Sequence, residues 1–297
     1  MFDFRYHALS LVAVFLALGI GILLGVTLGD SLVSEATRSV RSSLRDDVVE
    51  ARRRAREEQA SREQRDRLIE AAFPLLASDR LRGERVALVA LGELPDDIES
   101  AAREVVETAG GSVDSVSVLD VEPVEADLRE AFPGDGARPN PSASELEALA
   151  RRLGASTVAG GRTAMRLQAA YPKRFRGDYR GAESVVIYRA PLPAPHAADG
   201  ELDGPDSPAD RRAKLDRALI RGMERRGATV VGVEESNSEP SQIPFFVDAR
   251  LTSVDSVDLI GGRVALVFAL DGVQGTFGFK STADEPLPEL ATGRVPR

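Results

Sequence analysis

Glu107–Leu119 reads ETAGGSVDSVSVL: a helix end, two glycines, then a run rich in valine. Glycine just past a helix end supplies the left-handed cap, and a β-branched run after it suits a sheet. The same order recurs as RRLG followed by ASTVAG over Arg151–Gly160, and as ERRG followed by ATVVGV over Glu224–Val233. Upstream, Arg85-Val-Ala-Leu-Val-Ala-Leu91 is a short apolar run suited to a buried strand; Gly92 follows, then Pro95, which can open a helix. Further strands are expected over Ser184–Tyr188, Arg263–Leu270 and Gly275–Lys280. The last two would face each other across Asp271-Gly272 as a C-terminal β-hairpin. Strands alternating with helices predict an α/β domain with a largely parallel sheet in Rossmann-like layers.

Ahead of this domain, Ser31 to about Phe73 contains no Pro or Gly and is crowded with Arg, Glu, Ala and Gln. That composition predicts a long exposed helix, supported locally by pairs such as Arg54–Glu58. Apolar residues fall at Val33, Val40, Leu44, Val48, Ala51, Ala55, Ile69 and Ala72, near three-and-four spacing but broken through Gln59–Arg65. The pattern is that of a weak coiled-coil stalk; a single solvated helix is the plainer reading. About 40 residues of helix span on the order of 60 Å.

Earlier still lies ALSLVAVFLALGIGILLGVTL, Ala8–Leu28, with no charge, proline or amide residue. A helix over it is roughly 30 Å long, the thickness of a bilayer's hydrocarbon core, so a transmembrane anchor is expected. The run exceeds the ~7–15 residues of a signal peptide's apolar region, and no A-x-A-like cleavage site follows it. Ala13, Ala17, Gly21, Gly25 and Gly29 recur every fourth position, one helix face on which a second backbone could approach closely. They are the candidate helix-association residues. Arg38, Arg41 and Arg45 beyond the anchor outnumber Arg5 before it, which by charge count would leave the body in the cytoplasm. Long translocated domains weaken that rule, and the sequence leaves sidedness open. The expected organisation is therefore 1–30 flank and anchor, 31–82 helical stalk, and 83–281 α/β domain interrupted by a flexible loop at 191–210. A disordered tail, 282–297, would close the chain.

The formal net charge of −9 argues against nucleic acid as a partner, since phosphate binding needs a concentrated basic surface. There is no Cys, which removes disulfides and thiolate metal sites. The two histidines, His7 at the membrane boundary and His196 in the Pro-rich loop, are poorly placed for Ser-His-Asp chemistry or zinc ligation. GELPDD after the first strand lacks G-x-G-x-x-G and puts acid where phosphate would lie, so no dinucleotide cofactor is expected. Two weak signals remain. Gly160-Gly161-Arg162-Thr163 could hold an anion, or be only a tight turn into a helix. Asp255 and Asp258 could share a divalent ion, or cap turns. No catalytic or cofactor-binding residue follows, and the metal ligands stay unassigned.

The N-terminal string FDFRYHALSLVAVFLALGIGILLG resembles the start of the actinobacterial MctB-type family of copper transporters, or copper-transport outer membrane proteins. PFF, LTSVDSVD and GGRVALVFALDGVQGTFGFKSTADEPLP resemble that family's closing block. The resemblance implies copper efflux or limitation of intracellular copper across the envelope. A second implied role is that of a septal, cell-separation scaffold partnering a thiamine-pyrophosphokinase-like protein. It also implies a body outside the plasma membrane. Cu(I) prefers thiolate and thioether ligands, and this chain offers only Met1, Met165 and Met223. A copper site within one chain is thus not expected, nor an enclosed pore from one anchor helix. A homo-oligomer joined through anchor and stalk is expected instead.

Overall fold

A computed structural model of the chain describes residues 4–119, 128, 130–133, 142–191 and 207–288, without the side chains of 4–5 and 26–43. The chain divides into two compact units, Met1–Arg65 and Asp66–Arg297. The described part of the first is helix throughout, belonging to α1 (Phe4–Ala77). Along its polar stretch Arg53 donates to Glu57 at 3.1 Å, and Arg54 turns back to Glu50 rather than forward to Glu58. Glu four residues ahead of Arg is the orientation a helix favours. Each such exposed pair is worth about 0.3–0.5 kcal/mol, so helix propensity carries this segment more than charge does.

In the second unit the last turns of α1 are part of the body. Ile69, Phe73, Leu76 and Ala77 lie at three-and-four spacing and pack into the core, well before residue 83. Pro74 is tolerated there, and the helix closes with Ser78 N–H donating to the Pro74 carbonyl.

The body's remaining elements are β1 (Arg85–Leu91), α2 (Asp96–Thr108), β2 (Ser112–Leu119), α3 (Ala143–Ala159), α4 (Arg162–Ala170), β3 (Phe175–Gly177) and β4 (Ser184–Arg189). Then come α5 (Pro208–Glu224), β5 (Thr229–Val233), α6 (Ile243–Asp248), β6 (Thr252–Val254), α7 (Ile260–Leu270) and β7 (Thr276–Phe277). The sheet order is β3-β2-β1-β4-β5-β6-β7, parallel except for the β2–β3 pair. Helices cover both faces, which is why β1 is buried along nearly its whole length. Val86, Leu88 and Ala90 face one core, with α2, α7 and the end of α1. Ala87, Val89 and Leu91 face the other, with α3 and α5. Period-two alternation thus divides a continuously apolar strand between two cores.

The helix–glycine–strand reading holds at two of its three places. After α2, Gly110 (φ +86°) sends its N–H to the Glu107 carbonyl and Gly111 sends its own to Val106, a Schellman close that delivers the chain to β2. Gly227 (φ +78°) plays the equivalent part before β5. At Arg151–Gly160 the expected strand is instead the second half of α3. Gly154 caps nothing: a Cβ there would lie 2.0 Å from the Leu219 carbonyl oxygen of α5. On α5, Gly222 would meet the Arg151 carbonyl at 2.0 Å. Two glycines let these helices touch backbone to backbone. Ser156 and Thr157 stay helical by donating to the Arg152 and Gly154 carbonyls, at 2.9 and 2.8 Å.

The expected strand Arg263–Leu270 is also a helix, α7, apolar and buried on all but the side where Arg263 reaches out to Glu104. Asp271-Gly272 is accordingly its Schellman end, with Val273 N–H bonded to the Phe268 carbonyl, and the hairpin expected across it does not form among the described residues. β7 pairs with β6 in parallel. Residues 192–206 of the expected loop lie outside the described residues; α5 opens at Pro208 behind a Ser207 cap. Of the expected tail, residues 289–297 lie outside them too. The chain from 282 to 288, expected to be loose, bonds back to the sheet: Asp284 N–H donates to the Thr276 carbonyl and Gly278 N–H to that of Glu285.

Candidate functional site

β1 and β4 are neighbours whose next strands run outward in opposite directions, β2 on one side and β5 on the other. In open α/β sheets the crevice beyond the carboxyl ends of such a pair is where ligands bind. Here Gly92 (φ +107°) turns the chain out of β1, and α2 opens with Asp96, Asp97 and Glu99 in its first turn. Those carboxylates match the helix dipole and occupy the place a pyrophosphate would take.

Alternation along β4 gives the two sides of this crevice different chemistry. Tyr188 points to the α2–α7 side and Arg189 to the α5 side. On the first side burial pushes the Tyr188 phenol up to about 12, with Glu235, Glu234 and Glu93 adding to it. Burial also raises the Glu235 carboxyl, and the neighbouring Asp258 and Asp97 raise it further.

On the α5 side the charges are buried and basic. Arg189 Nε donates to Asp216 Oδ2 at 2.8 Å and its Nη1 to Gln242 Oε1, while its guanidinium lies 4.2 Å from the Phe245 ring centre. Arg212 Nε lies 3.4 Å from the same Asp216 oxygen. Arg212 Nη2 donates to the carbonyls of Leu91 (3.1 Å) and Ala190 (2.9 Å), at the ends of β1 and β4. Burial pushes the Asp216 carboxyl up while the two guanidiniums pull it down. Beyond this trio, fully buried Glu234 accepts from Ser241 Oγ (2.9 Å), Lys280 Nζ (2.8 Å) and Gln242 N–H, tying the segment after β7 to the loop after β5.

The residues singled out from sequence fall elsewhere or serve the frame. Asp255 is fully buried and accepts from the backbone of Phe279 (2.7 Å) and Lys280 (3.1 Å) and from Ser256 Oγ (2.7 Å). Asp258 accepts from Ser236 N–H and Oγ, at 2.7 and 2.6 Å. Both carboxylates cap turns, with every oxygen engaged. Among the described residues no group of three or more His, Asp or Glu is arranged to hold a metal ion. Gly160 and Gly161, both at positive φ, join two helices instead of ending a strand. Arg162, Thr163 and Arg166 there line a cavity of about 250 Å³ with Arg152, Phe132 and Pro133. A larger cavity of about 550 Å³ opens at the amino ends of β5–β7, beside Glu224, Arg250 and Thr252. His7 is exposed on α1, and His196 lies outside the described residues. Met223 is sealed in the core, whereas Met165 is exposed. Ala13, Ala17, Gly21 and Gly25 are exposed on α1, and Gly29 lies outside the residues whose exposure is described. Beyond the adjoining helix backbone, no atom lies within 4 Å of a Cβ built on Gly21 or Gly25.

The buried trio was missed in the sequence because Arg212 and Asp216 look like solvated helix charges. Their register was the available signal. Arg212, Asp216, Leu219, Ile220 and Met223 share one face of α5, so the charges begin the stripe that enters the core.

Two comparisons bear on what this molecule does. A protein-family model described as "Copper transport outer membrane protein, MctB" matches residues 1–288. The copper transporter MctB of Mycobacterium bovis is 34% identical over 134 residues, 44% of this chain and 41% of the relative's. The copper transporters MctB of two Mycobacterium tuberculosis strains match to the same extent. The aligned stretch thus spans about two fifths of these relatives' length.

Proposed function

Because the chain belongs to the MctB copper transport outer membrane protein family, we propose that it acts in copper transport or homeostasis as a membrane-anchored, non-enzymatic envelope protein. The observation that carries this reading is the family match over residues 1–288. One helix among the described residues is long and apolar enough to cross a membrane, Tyr6–Gly25, and its side chains are exposed all round. Burying them in lipid removes an apolar surface that water would otherwise wet.

Copper is the cargo in this reading. The soft donors that would chelate it as Cu(I) are few, and those described are separated between core and surface. The anchor and stalk therefore support action through an assembly. Copies would pair along Ala13, Ala17, Gly21, Gly25 and Gly29, and beyond the membrane through the exposed Leu44 and Val48. The body lies on the extracytoplasmic side. The septal alternative with a thiamine-pyrophosphokinase-like partner draws no support from the comparisons and is not carried forward. Growth in graded copper tests the reading: a strain lacking the gene should be inhibited at lower copper than its parent. Equal tolerance of the two strains would count against it.

A further inference from the structure

We propose that the Arg189–Arg212 pair, at the carboxyl ends of β1 and β4, binds an oxyanion: a carboxylate or phosphate group on a small ligand. This goes beyond the copper reading and does not depend on it.

The first argument is charge. Two guanidiniums face one carboxylate, Asp216, and both approach its Oδ2. Glu234 is no second counter-ion: its oxygens accept from Ser241, Lys280 and the Gln242 amide. The trio of Arg189, Arg212 and Asp216 therefore keeps one unit of positive charge with side chains 9%, 5% and 3% exposed. A buried unpaired charge costs several kcal/mol, which an anion would relieve.

The second argument is the hydrogen-bond inventory of Arg212. Nη2 is satisfied by the two strand-end carbonyls and Nε faces Asp216 Oδ2 at 3.4 Å, but Nη1 is buried with no hydrogen-bond partner. Capping strand ends explains Nη2 alone. The unfilled Nη1 can donate a charge-assisted hydrogen bond to one oxygen of a carboxylate or phosphate. Burial, then the charge of Arg189, weakens the hold of Arg212 on its proton, against the opposing pull of Asp216.

The third is place. The carbonyls that fix Arg212 belong to Leu91 and Ala190, so the unfilled N–H groups lie at the topological switch point. Of the acidic groups at this crevice, Glu235, Glu234 and Glu93 bear on Tyr188, on the other face of the sheet, and Asp258 and Asp97 bear on Glu235. An oxyanion is drawn to the α5 side.

The test is thermal unfolding and calorimetric titration of the full chain in detergent, with inorganic phosphate and with acetate as probes. Chloride holds ionic strength constant. At least one probe should raise the melting temperature saturably. Arg212→Lys, which keeps the charge and a donor for the carbonyls but removes the unfilled Nη1, should weaken that response at least tenfold. Arg162→Ala with Arg166→Ala, in the other arginine-lined cavity, should leave it intact. No saturable response to either probe overturns the proposal. So does a response that survives Arg212→Lys or vanishes in the Arg162/Arg166 variant. If Arg212→Lys fails to fold, Arg189→Lys takes its place under the same criterion.

Discussion

Gly154 and Gly222 sit where α3 crosses α5, each with the other helix's carbonyl oxygen 2.0 Å from where a Cβ would be. Alanine is about 1 kcal/mol better than glycine inside a helix, so propensity alone favours Gly154→Ala. The methyl would meet backbone, which cannot rotate away, and overpacking costs about 1–3 kcal/mol or more. Crowding wins: Gly154→Ala should lower the melting temperature of the full chain in detergent, and a rise would refute the close crossing. Asp216→Asn should be harsher, because it strands two buried guanidiniums. The expected loss is about 3–5 kcal/mol, read by chemical denaturation, and a change below about 1 kcal/mol would deny the trio its role. Neither residue announced itself in the sequence. RRLG before a β-branched run is locally indistinguishable from ERRG before β5, and the difference is what crosses it from 65 residues away.

Helices and strands were legible where local chemistry and burial agree. β1, β2, β4 and β5 emerged because a buried parallel strand is a short apolar run bounded by glycine. β3 and β6, three residues each, are too short for any period to register. α7 misled because a helix buried nearly all round carries little amphipathic pattern, and the apolar run Val264–Leu270 reads equally well as strand. α1 is legible as a helix, but its end is not the stalk that composition predicts, because Ile69, Phe73 and Leu76 belong to the core. Phe73, 3% exposed, should cost about 3–5 kcal/mol when changed to Ala, measured by denaturant unfolding. A surface residue of a free stalk would cost almost nothing. At the other end of α1, Gly21→Leu with Gly25→Leu should reduce self-association of the full chain in membranes, measured by crosslinking. Unchanged oligomers would remove the small-residue face from the assembly.

At the scale of the whole molecule the described acids set an unusual pH response. Burial raises the carboxyls of Glu84, Glu224 and Glu235 above their ordinary values. A carboxyl raised in the folded state contributes stability below its unfolded value and loses it as pH climbs through the folded one. Glu99 runs the other way: burial raises it, but bonds from Arg176 and Arg103 prevail and hold it low, so its contribution is lost only under stronger acid. The melting temperature should therefore rise as pH falls from 7 toward about 5, and a steady fall over that window would contradict these assignments. The sheet order itself was beyond the sequence, since which strand lies beside β1 is decided by packing across the whole body. So was the site: the switch point exists only once β4 is placed against β1. Family membership and the exposed apolar helix support the proposal that the chain acts in copper homeostasis from a membrane. Cell-associated copper, measured by mass spectrometry, tests that claim most directly. Deleting the gene should raise it, the full chain should restore it, and a chain without residues 1–30 should not. Copper unchanged by the deletion would contradict the account.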